Sequence, residues 1–181
     1  MPVVSGERAW WMGCVILAGL ALVSPAAGDF EELTGRVVEV REGDTLRVLQ
    51  DGEKVLIRLE GIDAPEDGQA YSEMSRDGLA HAVLGKDVTI RIVGRDVNRD
   101  ILGRVYLGTI DINLELVRAG LAWHYRRYSS EEALREAEKS ARKAKRGLWQ
   151  AGPRPVPPWR FREEREKTET VGTPANPFPV N

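Results

Sequence analysis

The sequence has almost no cysteine, little histidine and no strong excess of charge of either sign. Its single cysteine, Cys14, lies in the apolar N-terminal segment, so the rest of the chain has no disulfide and no thiol chemistry. Its two histidines, His81 and His124, have no partner at the spacing of a catalytic triad or a metal site. The formal net charge is −2. Constitutive, salt-driven binding of nucleic acid needs a strongly basic chain, so the composition excludes it and leaves only a local cationic site.

Long apolar runs are also missing, except within residues 1–28. There Arg8 precedes an apolar stretch from Trp10 to Val23, and small residues follow up to Gly28. This order is typical of a cleaved secretory signal peptide, which predicts a secreted or periplasmic protein. The alternative is an uncleaved anchor on the outer face of the inner membrane. A membrane span needs roughly 20 apolar residues, and glycines interrupt this stretch, which favours cleavage.

Residues 29–150 form one domain-sized block whose patterning predicts an α+β fold, mainly β with helices. Short runs rich in Val, Leu and Ile, separated by turn signals, predict strands at 33–41, 45–50, 54–62, 87–93 and 104–110. Apolar spacing and end signals predict helices at 69–84, at 111–120 and from Ser129 to Gly147, the last with a Ser-Ser-Glu-Glu capping box. Five strands with three helices predict a five-stranded OB-fold barrel.

From Ala151 the composition changes. Seven of the ten prolines lie in 151–181, together with a patch rich in Glu, Arg and Lys at 160–169. This composition predicts a Pro-rich, disordered tail or tether without a core of its own.

One guanidinium, that of Arg58, lies within the predicted apolar strand at 54–62. Arg58 interrupts an apolar strand in which Val55, Ile57 and Leu59 point toward the core, so Arg58 points the other way. A cation is rarely placed in a barrel strand unless an anionic group lies opposite. Arg58 is therefore a candidate for binding an anion.

Three acids lie near this strand in the sequence. Taken singly, Asp44 is typical of a turn, Asp63 of a strand exit and Glu66 of a solvated loop. On a regular strand Asp63 would face away from Arg58, but Gly61 allows a kink or an end between them. We therefore expect these acids to turn toward the face that Arg58 occupies.

Such a set matches the chemistry of phosphodiester hydrolysis. Two carboxylates, Asp44 and Asp63, can hold a metal ion that neutralises charge on the phosphate, and all-oxygen ligands favour a hard ion such as Ca²⁺ over zinc. Arg58 and Arg104 can each donate a planar pair of hydrogen bonds to phosphate oxygens. Glu66 can orient the attacking water or take its proton.

These motifs together resemble the staphylococcal nuclease (thermonuclease) family. The resemblance covers roughly residues 35–150 and rests on an ordered set of short motifs at close to the family's spacing: Gly43-Asp44-Thr45, Arg58 with Asp63-Ala64-Pro65-Glu66, Gly103-Arg104, the stretch Glu115–Ala122, and Gly147-Leu148-Trp149. Each motif is weak alone, and the ordered set is specific.

The resemblance implies an OB-fold and a Ca²⁺-dependent nuclease acting on DNA and RNA. Cleavage would take place on the 5′ side of the phosphodiester and leave 3′-phosphates, without a small-molecule cofactor and in a monomer. By position, the family's site residues would be the metal ligands Asp44, Asp63 and Ala64 (through its backbone carbonyl), the phosphate-binding Arg58 and Arg104, and the base Glu66.

The chain departs from the family where the nucleotide is held. Ile101-Leu102 stand where the best-known member has Lys-Tyr, and Arg126 replaces a stacking tyrosine. We expect Arg126 and Tyr128 to contact the substrate, Arg126 through phosphate and Tyr128 through base stacking or packing.

Two other functions remain open from the residues alone. The same barrel could bind single-stranded nucleic acid without cutting it. With an uncleaved N-terminal segment, the chain could instead be a membrane-tethered protein that interacts with partners through its tail.

Overall fold

The computed structural model describes residues 31–150 and 155–172. The predicted leader, its cleavage point and Cys14 lie outside these residues. Within the part of the chain that is described, no helix has the length and apolar character needed to cross a bilayer. The elements, in chain order, are β1 (Glu32–Glu42), β2 (Thr45–Gln50), β3 (Glu53–Leu59), β4 (Ile62–Asp63), α1 (Ser72–Val83), β5 (Asp87–Arg95), β6 (Ile101–Leu107), β7 (Ile110–Asp111), α2 (Ile112–Ala119), β8 (Trp123–His124), α3 (Glu132–Lys143), a 3-10 turn (Gly147–Trp149) and α4 (Pro158–Gly172).

The main sheet closes into a barrel. Its strands follow the order β3-β2-β1-β5-β6-β7 with antiparallel neighbours, and the parallel pairing of Ile57–Leu59 with Ile101–Gly103 joins β3 to β6. Closure leaves β1, β2, β3, β5 and β6 without a free edge between them. The predicted OB-fold barrel is confirmed, with four α-helices in the described residues where three were expected.

The barrel core explains the orientation of Arg58. Ile57 and Leu59 are buried on β3, and Leu46 and Val48 are buried on the neighbouring β2. Successive strand side chains point to opposite faces, so Arg58 lies on the outside of the barrel. The alternating pattern read from the sequence is therefore correct at this strand.

Two glycines, Gly120 and Gly147, bring the C-terminal segment onto α2. Gly120 ends α2 in the left-handed conformation, with φ 74°, as the sequence predicts. A Cβ on Gly120 would lie 2.3 Å from the Arg146 carbonyl oxygen, and the Leu148 amide donates to the Gly120 carbonyl at 2.8 Å. Because only glycine allows this approach, Leu148 and Trp149 can return to the body of the domain, where both are buried.

The predicted start of α3 is wrong. The helix begins at Glu132, and its N-cap Glu131 makes no side-chain capping bond. The Ser129 hydroxyl accepts from the Glu131 amide at 3.3 Å, and the Ser129 amide donates back to the Tyr125 carbonyl. Ser129 therefore belongs to the turn before the helix, and the capping box does not form.

The expectation of a tail without structure is also wrong for residues 158–172, which form α4. Pro158 begins the helix at a position where a missing amide hydrogen costs nothing. Trp159 packs against the buried cluster of Trp123, Ala141, Leu148 and Trp149. The tail is thus held by packing against the core of the domain, and composition alone does not predict such a contact.

Candidate active site

The Gly43-Asp44 turn between β1 and β2 is the first element of the site. The Asp44 carbonyl accepts from the Leu59 amide at 2.8 Å, which fixes this turn beside the end of β3. A Cβ on Gly43 would lie 2.6 Å from the Ser75 Cβ and 2.8 Å from the Ala64 Cβ. Only glycine therefore lets the turn lie against α1 and against the segment that follows Asp63.

Asp44 is buried and held on both carboxylate oxygens. Its Oδ2 accepts from the Ala64 amide at 2.9 Å, and its Oδ1 accepts from the Thr45 hydroxyl at 2.9 Å. Burial raises the pKa of Asp44, and the Ala64 amide and the charge of Arg58 offset this only in part. The bond to Ala64 places Asp44 next to Asp63, as the sequence predicts.

Asp63 reaches the site through a kink. Gly61, with φ 76°, lies in the turn after β3, and Asp63 then pairs with Trp123 in the short β4–β8 ladder. Asp63 is 3% exposed. Burial raises its pKa to about 6, with Asp44 adding to the rise and a hydrogen bond from Arg162 opposing it. The two aspartates are therefore close enough to disfavour each other's charge.

Glu66 lies in the turn that follows Asp63, and the Gln69 side chain binds its backbone amide. The Gln69 Oε1 accepts from the Glu66 amide at 3.0 Å, and the Gln69 Nε2 donates to the Val156 carbonyl at 2.6 Å. The pKa of the neighbouring Glu42 is raised by burial and then by the charges of Asp44 and Glu66. Glu42, the last residue of β1, is a fourth acid of the cluster, and the sequence gave no signal for it.

Arg58 stands beside this cluster. Its charge lowers the pKa of both Asp44 and Glu42, although burial raises each of them overall. Its guanidinium also lies 3.7 Å from the Asp96 carboxylate, and its side chain is 40% exposed. Arg58 is therefore near the buried acids and open to an incoming anion.

Arg104 lies on the same barrel face but contacts other acids. Leu102 pairs with Arg58 across the parallel strands, so Arg104 follows on the same side, about 6.6 Å further along β6. Its guanidinium binds Asp111 at 2.7 Å, binds Glu131, and lies 3.6 Å from Glu60. Burial alone would lower the pKa of Arg104, but the bonds to Glu131 and Asp111 raise it.

The structure thus gathers Asp44, Asp63 and Glu66, sets Arg58 beside them, and gives Arg104 a separate set of carboxylates. A phosphate that reached Arg104 would have to replace Glu131 or Asp111 as its partner. Asp111 lies seven residues after Arg104 on the paired strand β7, whereas Glu131 lies 27 residues away, and the sequence does not predict that either acid binds Arg104.

Arg162 of α4 is, with Glu42, a site residue that sequence reasoning missed. Its Nη1 and Nη2 donate to the two Asp63 oxygens at 3.1 and 2.9 Å, and Nη1 also binds the Glu66 carboxylate. Burial alone would lower the pKa of Arg162, but the bonds to Asp63 and Glu66 raise it. The only sequence signal for the helix that carries Arg162 is Pro158, because proline favours the first turn of a helix.

The donor set fits a hard divalent cation in charge and chemistry. Five acids (Glu42, Asp44, Asp63, Glu66, Asp96) face three guanidiniums (Arg41, Arg58, Arg162), a formal surplus of two negative charges when all are ionised. The buried Ala64 carbonyl accepts no hydrogen bond from the described residues. Carboxylate and carbonyl oxygens are the ligands of Ca²⁺.

One observation limits this fit. Across residues 31–150 and 155–172, no group of three or more His, Cys, Asp or Glu side chains is arranged as a ready metal site. The predicted ligands include only two side chains, and Asp63 and Glu66 turn their oxygens to Arg162. The site therefore has the charge for a metal ion, while its side chains are arranged around a guanidinium.

A groove of about 890 Å³ has none of Asp44, Asp63 and Glu66 in its lining. We call it the cationic groove, because its lining includes Arg126, Arg127, Arg135, Lys139 and Arg142 against two acids, Glu136 and Glu138. Trp159 forms part of its wall, three residues before Arg162. Three helical residues rise about 4.5 Å, so a single turn of α4 contributes one residue to the groove and one to the acid cluster.

The two predicted substrate contacts lie at this groove or close to it. Arg126 lines it, with its guanidinium 3.0 Å from Glu138. Tyr128 is 67% exposed and lies 4.8 Å from Tyr125, ring centre to ring centre. Trp123, by contrast, is buried, so it packs and does not stack on a base.

Comparison with known proteins identifies the family to which this chain is related. The family described as staphylococcal nuclease homologue matches residues 56–151, more than half of the chain. An uncharacterized endonuclease of Escherichia coli is 42% identical over 135 residues, 74% of this chain and 88% of its own length. A micrococcal nuclease of Shigella flexneri is 35% identical over 162 residues, 82% of this chain and 90% of its own.

The chain belongs to the staphylococcal nuclease family.

The family resemblance read from the motifs is therefore confirmed, and the prediction of a nuclease is confirmed at that level. The part that matches the staphylococcal nuclease family contains Arg58, Asp63, Glu66 and Arg104, whereas Asp44 precedes it and α4 follows it. Calcium dependence and the side of the bond that is cut remain predictions.

Proposed function

We propose that this staphylococcal nuclease homologue hydrolyses phosphodiester bonds in DNA and RNA with Ca²⁺ and with little sequence specificity. Cleavage on the 5′ side would leave 3′-phosphates. The observation that carries the proposal is the buried pair Asp44 and Asp63, joined through the Ala64 amide, in a cluster whose acids outnumber its cations by two. Such a surplus is stable only if a further cation is bound or a proton is taken up.

The metal ligands would be the carboxylates of Asp44 and Asp63 and the carbonyl of Ala64. A calcium ion bound there would supply positive charge to the phosphoryl oxygens as negative charge develops on them. The hydrogen bonds from Ala64 and Thr45 hold the Asp44 carboxylate in place before any ligand arrives. A preorganised carboxylate costs less to position when the metal binds.

The two arginines would bind the phosphate. Arg58 is half-exposed beside the acids and can turn its planar donors to two phosphate oxygens. Arg104 follows it on the same face and would exchange the Glu131 carboxylate for phosphate. Both donors stabilise negative charge that is greater in the transition state than in the substrate.

Glu66 would act on the attacking water. Its side chain is 21% exposed and lies beside Asp63, bridged to it by Arg162. The turn bound by Gln69 holds its backbone, so the carboxylate has a defined position. A carboxylate there can orient the water and accept its proton.

The cationic groove is the proposed path of the nucleic acid strand. Its cations can hold phosphates on either side of the scissile bond, and Tyr128 offers an exposed ring to a base. Sequence-independent contacts of this kind agree with low specificity.

Removing charge from the groove should weaken substrate binding and leave chemistry unchanged. In the double variant Arg135→Ala/Lys139→Ala, we expect the KM for denatured DNA to rise about tenfold at constant kcat. The slope of log K against log salt should become shallower by about 0.7 for each lost contact. Steady-state kinetics at several salt concentrations measure both quantities.

The matched control removes the same charge outside the groove, in Arg118→Ala/Lys86→Ala, two exposed positions. If both double variants changed the KM and its salt dependence equally, the groove cations would act only through the overall charge of the protein. That result would argue against a defined strand path.

The experiment that tests the function is digestion of denatured DNA by the purified protein in Ca²⁺ and in chelator. We expect products only with Ca²⁺, carrying 3′-phosphates that block extension by a polymerase until a phosphatase removes them. Equal products in chelator would refute the calcium role. Products with 3′-hydroxyls would refute the side of cleavage, and retention of DNA without cleavage would favour the single-strand-binding alternative.

The location that we propose for this activity is outside the cytoplasm, in the periplasm or the medium, after removal of residues 1–28. Mass spectrometry of the exported protein tests this. A start near Asp29 supports cleavage, whereas an intact Met1 supports the anchored alternative. The proposed protein is a monomer, which sedimentation of the same sample checks.

A further inference from the structure

Arg162 occupies the position on Asp63 where the proposed metal would bind. Its two terminal nitrogens lie 3.1 and 2.9 Å from the two Asp63 oxygens, and one of them also binds Glu66. The Asp63 side chain is 4% exposed and the Arg162 side chain 32% exposed. A bidentate guanidinium on a buried carboxylate is among the strongest ion pairs in proteins.

The position of Arg162 is set by anchors on either side of the start of α4. The Gln69 side chain donates to the Val156 carbonyl at 2.6 Å, which ties the segment before the helix to the Glu66 turn. Trp159 stacks on Tyr125, with ring centres 5.4 Å apart and planes 12° apart. Arg162 follows one helical turn later, so the anchored helix delivers its guanidinium to the acids.

A guanidinium and a divalent cation cannot share these carboxylates without cost. Both oxygens of Asp63 face Arg162, and a cation bound to the same oxygens would lie within a few ångströms of its charge. Repulsion between like charges at that separation is strong in a buried site. Binding of one cation therefore opposes binding of the other.

We propose that α4 is an internal inhibitor of the nuclease site, in which Arg162 takes the place of the divalent cation on Asp63 and Glu66 until metal and substrate displace it. This inference rests on the proposed calcium role of Asp63. It adds that the metal affinity of the full chain is set by competition with the chain's own side chain. Arg162 is not a catalytic residue in this account, because it must leave before the metal binds.

The same geometry connects release to the substrate. Trp159, which anchors α4, also lines the cationic groove. A nucleic acid base that replaced Tyr125 on the Trp159 ring would remove this anchor, so in the proposed scheme substrate binding and withdrawal of Arg162 favour each other. The inhibited state would then be the resting state of the enzyme without nucleic acid.

Calorimetric titration of Ca²⁺ into the full chain, without nucleic acid, tests the competition. We expect Arg162→Ala to bind Ca²⁺ about tenfold more tightly than the wild type. Arg162→Lys should lie between the two, because a lysine cannot make the bidentate pair. The matched control is Arg165→Ala, which removes an exposed arginine from the same helix and should leave the affinity unchanged.

Hydrogen exchange of the wild type gives a second test that does not depend on a variant folding. The amides of α4 should exchange slowly without metal and several-fold faster when Ca²⁺ is added. Unchanged or weaker Ca²⁺ binding in Arg162→Ala, or unchanged exchange in α4, would overturn the inhibitor while leaving the calcium site standing. Absence of Ca²⁺ binding in every form would refute the calcium site and the inhibitor together.

Discussion

Replacement of Asp63 by asparagine should slow calcium-dependent hydrolysis of denatured DNA about a thousandfold. The change keeps the shape of a side chain that is 3% exposed but removes its charge, which lowers the negative surplus of the cluster from two to one. Loss of a metal ligand removes several kcal/mol of charge stabilisation, and about 4 kcal/mol corresponds to this factor. Initial rates at saturating Ca²⁺ measure it.

The control for this variant is Asp51→Asn. Asp51 is exposed in the β2–β3 turn with φ 50°, a conformation that asparagine also adopts. It should hydrolyse DNA at the wild-type rate. A loss of less than tenfold in Asp63→Asn, in protein with an unchanged thermal unfolding profile, would contradict the assignment of Asp63 as a metal ligand.

Replacement of Glu66 by glutamine should lower kcat by roughly 10²–10⁴, the range for loss of a positioned general base. DNA binding should change little, because the amide keeps the size of the side chain and the turn remains fixed by Gln69. The rate constant of cleavage, measured under single-turnover conditions, reports the chemical step. The DNA affinity, measured in the absence of Ca²⁺, reports binding separately.

Glu73→Gln provides the comparison, since Glu73 is exposed in the first turn of α1. It should affect neither turnover nor affinity. Parallel losses of turnover and affinity in Glu66→Gln would place Glu66 in substrate binding and argue against a role in proton transfer.

The features that the sequence could predict are those encoded locally or in an ordered set of motifs. The Asp111 cap and the Gly120 stop of α2 are local, and both form as expected. The kink at Gly61 follows from one glycine between an apolar strand and a Pro-containing turn. These signals sufficed to bring Asp44, Asp63 and Glu66 together on one side of the barrel.

The features that could not be predicted depend on contacts distant in sequence. Arg162 binds Asp63 across 99 residues, and α4 has too few apolar residues to announce a helix by periodicity. Its stability comes from Trp159, which packs on aromatic residues of the domain. Likewise, Arg104 binds the carboxylate of Glu131, the N-cap residue of α3, across 27 residues. The sequence instead predicts Glu131 within a capping box, which does not form.

The most direct test of the account is a crystal structure of the protein grown with Ca²⁺, with the metal located by anomalous scattering. The account predicts a peak about 2.3–2.6 Å from carboxylate oxygens of Asp44 and Asp63, with Arg162 withdrawn from Asp63. A peak at another site, or Arg162 still bound to Asp63 at saturating Ca²⁺, would contradict it.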